Sequence, residues 1–155
     1  MKTLNLDQKV PDFELYDDEE NLFRLYEQNQ PLLIVFYPGD DTPVCTAQLC
    51  DYRDGIEQFR DFDIDVVGIN RDSIESHKKF KKKYQLPFRL LSDPEGKVAE
   101  IFGCKTLLGT VNRAVFLLDK EQNLIWYHKE VLSLFRRTKE ELLNVIRELR
   151  KQGKL

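Results

Sequence analysis

A cysteine that has lost its proton is a strong nucleophile and a redox centre, and this chain of 155 residues holds three of them, Cys45, Cys50 and Cys104. Two stand close together in the stretch Phe36-Tyr37-Pro38-Gly39-Asp40-Asp41-Thr42-Pro43-Val44-Cys45-Thr46-Ala47-Gln48-Leu49-Cys50. Before it, Pro31-Leu32-Leu33-Ile34-Val35-Phe36-Tyr37 is an unbroken apolar run that predicts a strand buried on both faces. After it, Leu49, Tyr52, Ile56 and Phe59 recur at helical spacing and predict a helix over residues 45–60. Cys45 therefore belongs where a buried strand turns into a helix. First-turn N–H groups have no partner inside a helix, and the helix dipole adds partial positive charge there. A thiol held at such a point gives up its proton more easily. Pro38, Gly39 and Pro43 make the connection stiff, and Thr42 sets a hydroxyl three residues before the sulfur. A free cysteine is often only a small buried hydrophobe; the strand, the turn prolines and the helix start favour a reactive thiol here.

The pattern Pro38-x-x-x-Thr42-x-x-Cys45 resembles the active-site motif of the peroxiredoxins, and the second cysteine five residues on is similar to their PrxQ, or bacterioferritin comigratory protein, branch. Val10-Pro11-Asp12-Phe13-Glu14-Leu15, Ser92-Asp93-Pro94-Glu95-Gly96-Lys97 and Arg113-Ala114-Val115-Phe116-Leu117-Leu118-Asp119 also resemble that branch, so the likeness runs through nearly the whole chain. The resemblance implies an antioxidant enzyme, a thiol peroxidase on a thioredoxin-type fold that reduces hydrogen peroxide and organic hydroperoxides. It implies that Cys45 is the peroxidatic nucleophile, that the Thr42 hydroxyl bonds the peroxide or the sulfur, and that the N–H groups of Val44 and Cys45 complete the cradle. Pro38 would shield the sulfur from bulk water, and Arg113 would hold the thiolate and the departing oxygen. Taken singly, Arg113 reads as a strand-end residue bonding a carboxylate and Thr42 as a turn or cap residue. Two positions depart from the branch: Gln48 stands where glutamate is common, and Val44 where glycine is common, which narrows the pocket mouth.

Attack on a peroxide leaves Cys45 as a sulfenic acid, which condenses with a second thiol or oxidises further. Cys50 is the expected second thiol, closing an intramolecular disulfide that thioredoxin or a similar dithiol protein would reopen. In one regular helix five residues give a rise of about 7.5 Å and a rotation of about 500°, hence a Cα separation of about 8.7 Å. A disulfide needs less than roughly 7 Å. The first turns of the helix must therefore unwind. Cys104, after Gly103, is the rival resolver, and filler is its blander role.

The elements that must position these residues follow in order. Residues 12–26 alternate polar and apolar around Asp17-Asp18-Glu19-Glu20-Asn21 and predict a β-hairpin. Residues 64–70 supply a strand parallel to the central one. Asp72 and Glu75 suggest a capping-box analogue for a helix with Ile74, His77, Phe80, Lys81 and Tyr84 on one stripe, ended by Pro87. Residues 88–92 form a short strand, and Asp93 with Pro94 starts a short helix carrying Val98, Ile101 and Phe102 and closed by Gly103. Residues 104–112 read as a loop, and 113–119 and 124–131 as a second hairpin. Thr138-x-x-Glu141 opens a last helix with Leu142, Val145, Ile146 and Leu149 inward. The sum is an α/β chain, one domain over 1–155: a mixed central sheet flanked by helices, in the order of a thioredoxin-like fold with an N-terminal β-hairpin.

Hydrophobic residues at 41% against 33% charged, with a net charge of −3, describe a globular protein with no global basic field for nucleic acid. The lysine run at 78–83 reads as a solvated helix face with Phe80 turned inward. The first ten residues have no signal-peptide core and no apolar run is membrane-spanning in length, so the expected address is cytoplasmic, with no membrane partner. His77 and His128 are far apart and fall in apolar periods, so no metal or other cofactor is expected; Trp126 and Tyr127 read as packing residues. The expected form is a monomer or weak homodimer. Two other functions compete: a thiol–disulfide oxidoreductase, disfavoured by the lack of Cys-x-x-Cys, and a non-enzymatic redox sensor or holdase. The peroxidase reading requires Arg113 beside Cys45 and a sulfur that solvent can reach.

Overall fold

The computed structural model describes residues 4–130 and 135–155. Seven strands form one mixed sheet: β1 Glu14–Asp17, β2 Leu22–Arg24, β3 Leu32–Phe36, β4 Asp65–Asn70, β5 Arg89–Ser92, β6 Ala114–Leu118 and β7 Leu124–Lys129. Their spatial order is β2-β1-β5-β4-β3-β6-β7. The three central strands β5, β4 and β3 run parallel, and the pairs β3/β6, β6/β7, β1/β5 and β1/β2 are antiparallel. The expected N-terminal hairpin thus extends the central sheet.

Strand periodicity explains the layering. Leu33, Val35 and Tyr37 point into one core layer, while Leu32, Ile34 and Phe36 point into the other, so the run must be apolar at every position. Helices α1 Pro43–Asp54, α2 Ile56–Asp61, α3 Ile74–Tyr84 and α5 Lys139–Lys151 supply apolar side chains to the first layer. The second layer is filled by α4 Lys97–Ile101 and the N-terminal segment, including Val10 and Phe13.

Several boundaries differ from the sequence-based expectation. The helix expected over 45–60 begins at Pro43 and breaks at Gly55, whose φ of −104° and ψ of 11° leave helical geometry. Leu49, Tyr52 and Phe59 still reach one core layer, which is why the periodicity ran through the break. The cap of α3 is Ser73, whose Oγ accepts from the N–H of Ser76 at 3.1 Å; Asp72 bonds elsewhere. The short helix starts at Lys97 rather than Pro94, because the Asp93 carboxylate accepts from the N–H groups of Val98 and Ala99 across a turn closed at Gly96. The 104–112 loop carries a bridge between Lys105 and Val111. The capping box at Thr138 and Glu141 forms as expected, and Leu143 joins Leu142, Ile146 and Leu149 as buried residues of α5 while Val145 is half-buried. Trp126 packs on the first core layer, whereas Tyr127 is exposed on one side and stacks on Phe116 on the other. Met1, Lys2, Thr3 and the expected strand residue Val131 lie outside the described residues.

Candidate active site

The parallel strands β3 and β4 end on the same edge of the sheet, and antiparallel β6 begins there, with Ala114 opposite Phe36. Arg113, one residue before β6, is thereby delivered to the carboxyl end of β3, where the chain turns through residues 38–42 into α1. Thr42 is the extended N-cap residue of α1 and Pro43 its first residue, so Cys45 is third in the helix. The N–H groups of Val44 and Cys45 belong to the first turn, where a helix supplies no acceptor.

The expected Arg113–Cys45 contact is present: Nη2 of Arg113 donates to Sγ of Cys45 at 3.0 Å. Nη1 of the same guanidinium donates to Oε1 of Gln48 at 2.6 Å. Gln48 in turn donates through Nε2 to the Tyr52 hydroxyl at 3.0 Å, and that hydroxyl donates to the Arg137 carbonyl. A thiolate at Cys45 sets a negative charge against a buried, fixed cation, and the planar fork of arginine keeps it aimed. The neutral amide at Gln48 holds the fork without competing for its charge.

Access to the sulfur is narrow, since Cys45 keeps only 1% of its surface exposed. The sequence reading requires a sulfur that solvent can reach, and in the folded helix it is almost closed off. Pro38 and Thr42 are exposed in the loop ahead of the helix. The Thr42 hydroxyl donates to the Gly39 carbonyl at 3.3 Å, so its resting contact lies within the loop.

The loop itself is anchored by residues that sequence reasoning passed over. Asp40 bonds Tyr37, Asn70, Ser76 and His77, and Asp41 accepts from Lys83 at 2.8 Å and from the Tyr84 hydroxyl at 2.7 Å. Asp41 has a φ of 56°, a left-handed conformation that such external bonds hold in place. Gly68 opens the path for the Tyr37 ring: a Cβ there would lie 3.1 Å from Tyr37 and 2.9 Å from Leu90. The available signal was two adjacent aspartates at the end of a buried strand and a histidine on an apolar helix stripe. The lysine run resolves as expected into an exposed face with Phe80 buried, with Lys83 serving the loop and Lys81 pairing with buried Asp18 at 3.1 Å.

The other two cysteines differ sharply. Cys50 is half-buried in α1, and burial raises its thiol above the ordinary value, aided by Asp54 and opposed by Arg53. Cys104 is fully buried, and burial pushes its thiol up to about 12. It lies in the core layer opposite the one that holds Cys45, with the sheet between them. All three are free thiols. Among the described residues no helix is long and apolar enough to cross a membrane, and no group of three or more His, Cys, Asp or Glu is placed to hold a metal.

Residues 6–127 match the AhpC/TSA family. The chain is 41% identical over 132 residues to the protein named peroxiredoxin Bcp of Bacillus subtilis (strain 168), covering 79% of this chain and 83% of that one. It is 46% identical over 113 residues to the chloroplastic peroxiredoxin Q of Sedum lineare, but spans only 61% of that longer protein. In three dimensions it resembles the crystal structure of peroxidoxin BcpB from Mycobacterium tuberculosis, with a TM-score of 0.84 and 30% identity over 96% of this chain and 97% of that one.

Proposed function

The chain belongs to the AhpC/TSA family, among the peroxiredoxins named Bcp and Q, and from that membership we propose how its residues divide the work of a thiol peroxidase. The Cys45 thiolate attacks one oxygen of a hydroperoxide, an S–O bond forms as the O–O bond breaks, and the departing alkoxide or hydroxide takes up a proton. Arg113 and the first-turn N–H groups of Val44 and Cys45 face the charge that develops on the leaving oxygen. Thr42, turned from Gly39, donates to the bound peroxide, and Pro38 keeps water from the sulfur. The product is a sulfenic acid at Cys45. The Cys50 thiolate then attacks that sulfur, an S–S bond forms as the S–O bond breaks, and the departing hydroxide takes up a proton and leaves as water. A thioredoxin-like dithiol protein reduces it by exchange.

The observation that carries this reading is the Arg113 guanidinium 3.0 Å from Cys45 Sγ, with the sulfur in the first turn of a helix. The narrow approach to Cys45 favours hydrogen peroxide and organic hydroperoxides that present an unhindered –O–OH end. The form read for the chain is a monomer or weak homodimer, and three free thiols suit a reducing compartment such as the cytoplasm.

Hydroperoxide consumption with a dithiol reductant tests the scheme. Wild type turns over, Cys45→Ser does not, and Cys50→Ser performs a single oxidation without an intramolecular disulfide. Consumption that stops at one equivalent in wild type, with the reductant present, would instead mark a redox sensor.

A further inference from the structure

The Asp40 carboxylate is bonded to saturation. Its Oδ1 accepts from the Tyr37 hydroxyl at 2.6 Å and from Asn70 Nδ2 at 3.2 Å. Its Oδ2 accepts from the Ser76 hydroxyl at 2.7 Å and meets His77 Nδ1 at 2.7 Å. An ionised carboxylate offers about four acceptor positions, and here all are taken by groups at the ends of β3 and β4 and on α3. The Asp40 backbone N–H is held as well, donating to Asp72 Oδ2 at 2.7 Å. The middle of the 38–42 loop is thus fixed by five bonds to groups that are not part of it.

His77 adds a constraint of charge. The ring is fully buried, its Nδ1 faces the Asp40 carboxylate and its Nε2 faces the Leu91 carbonyl at 3.0 Å. Both partners are acceptors, so each ring nitrogen must carry a proton; either neutral tautomer would aim a lone pair at an oxygen. Tyr37 and Asp72 also face this cluster, and Glu75, Lys79 and Lys83 line the cleft beside it.

We propose that Asp40 is the positioning residue of this site: paired with a doubly protonated His77, it fixes loop 38–42 and with it the first turn of α1, where Cys45 meets the peroxide. The proposal rests on the peroxidase reading above. It assigns a distinct kinetic consequence, because the clamp is needed while Cys45 reacts in the folded site and not while Cys50 closes on an opened helix.

Asp40→Asn is the test, since the amide keeps the shape and turns N–H donors toward donors. The second-order rate of Cys45 with hydrogen peroxide, corrected to the folded fraction, falls about tenfold to hundredfold, the scale expected when reacting groups are misplaced. Closure of the Cys45–Cys50 disulfide keeps its rate. In the 15N-labelled wild type at pH 7, both ring nitrogens of His77 are protonated. An unchanged peroxide rate per folded molecule, an equal slowing of both steps, or a neutral His77 ring would overturn the proposal. If Asp40→Asn does not fold, Ser76→Ala, which removes one bond to the same carboxylate, carries the rate comparison with a smaller loss. Should wild type consume no hydroperoxide, the peroxidase reading fails by itself, and the clamp is still read from the His77 ring and from the rate at which iodoacetamide alkylates Cys45 in these variants.

Discussion

Cys45 and Cys50 lie in one uninterrupted helix, Pro43–Asp54, five residues apart and so on different faces of it. Regular geometry keeps their Cα atoms about 8.7 Å apart, beyond the roughly 7 Å that a disulfide spans. Closing the bond therefore requires α1 to unwind, and the unwinding draws Tyr52 out of a site where its ring packs against Phe59 and its hydroxyl bonds Gln48 and Arg137. Oxidised protein will lose hydrogen-exchange protection over residues 45–52 relative to reduced protein, and tyrosine fluorescence will change with it. Equal protection in the two redox states would show that the bond closes without opening the helix.

The two hydrogen bonds that Arg113 donates, to Cys45 and to Gln48, predict a graded response to substitution. Arg113→Ala removes a preset donor from the reacting sulfur and should lower the rate with hydroperoxide by about a hundredfold to a thousandfold. Arg113→Lys keeps the charge but not the fork, and should fall between wild type and Arg113→Ala. Stopped-flow mixing with excess peroxide measures all three, and a lysine variant as slow as the alanine one would mean that geometry outweighs charge.

Much of this site could be read from sequence because it depends on local order along the chain. An apolar strand, a proline-marked turn and a helix start put Cys45 at a helix amino terminus, and the family resemblance supplied Arg113, which is distant in sequence. What stayed hidden depends on tertiary contact. Asp40 and His77 are 37 residues apart and meet only because β4 and α3 return to the end of β3. Helix ends were misplaced where a side chain caps from a distance, as Asp93 does for α4. Cys104 could not be separated from Cys50 until the sheet was seen to stand between it and Cys45.

Asp40 also links the loop to acid stability. Burial by itself would raise its carboxyl; the bonds from His77, Tyr37 and Ser76 outweigh burial and hold it below the usual carboxylate value. A group lowered in the folded state stabilises fully above its unfolded value, about 3.9, and loses that contribution as pH falls through the folded value. The difference in melting temperature between wild type and Asp40→Asn should therefore be large at pH 7 and shrink below about pH 4. A difference independent of pH would assign the effect of Asn to shape alone.

Cys50 carries the opposite dependence. Burial in the closed helix raises its thiol above the ordinary value, so the folded segment favours the protonated form. Stabilisation from that preference is complete below the ordinary thiol value, about 8.5, and declines as pH rises through the raised one. Opening of α1 thus becomes easier as pH rises above that ordinary value, while below it the growing ionised fraction of the released thiol alone speeds closure. Both effects push closure of the disulfide in one direction. Its rate should climb from pH 6 to about 8.5. Two-phase stopped-flow fluorescence, using Trp126 on the shared core layer, separates the steps; a closure rate flat across that range would mean that Cys50 is not the attacking thiol.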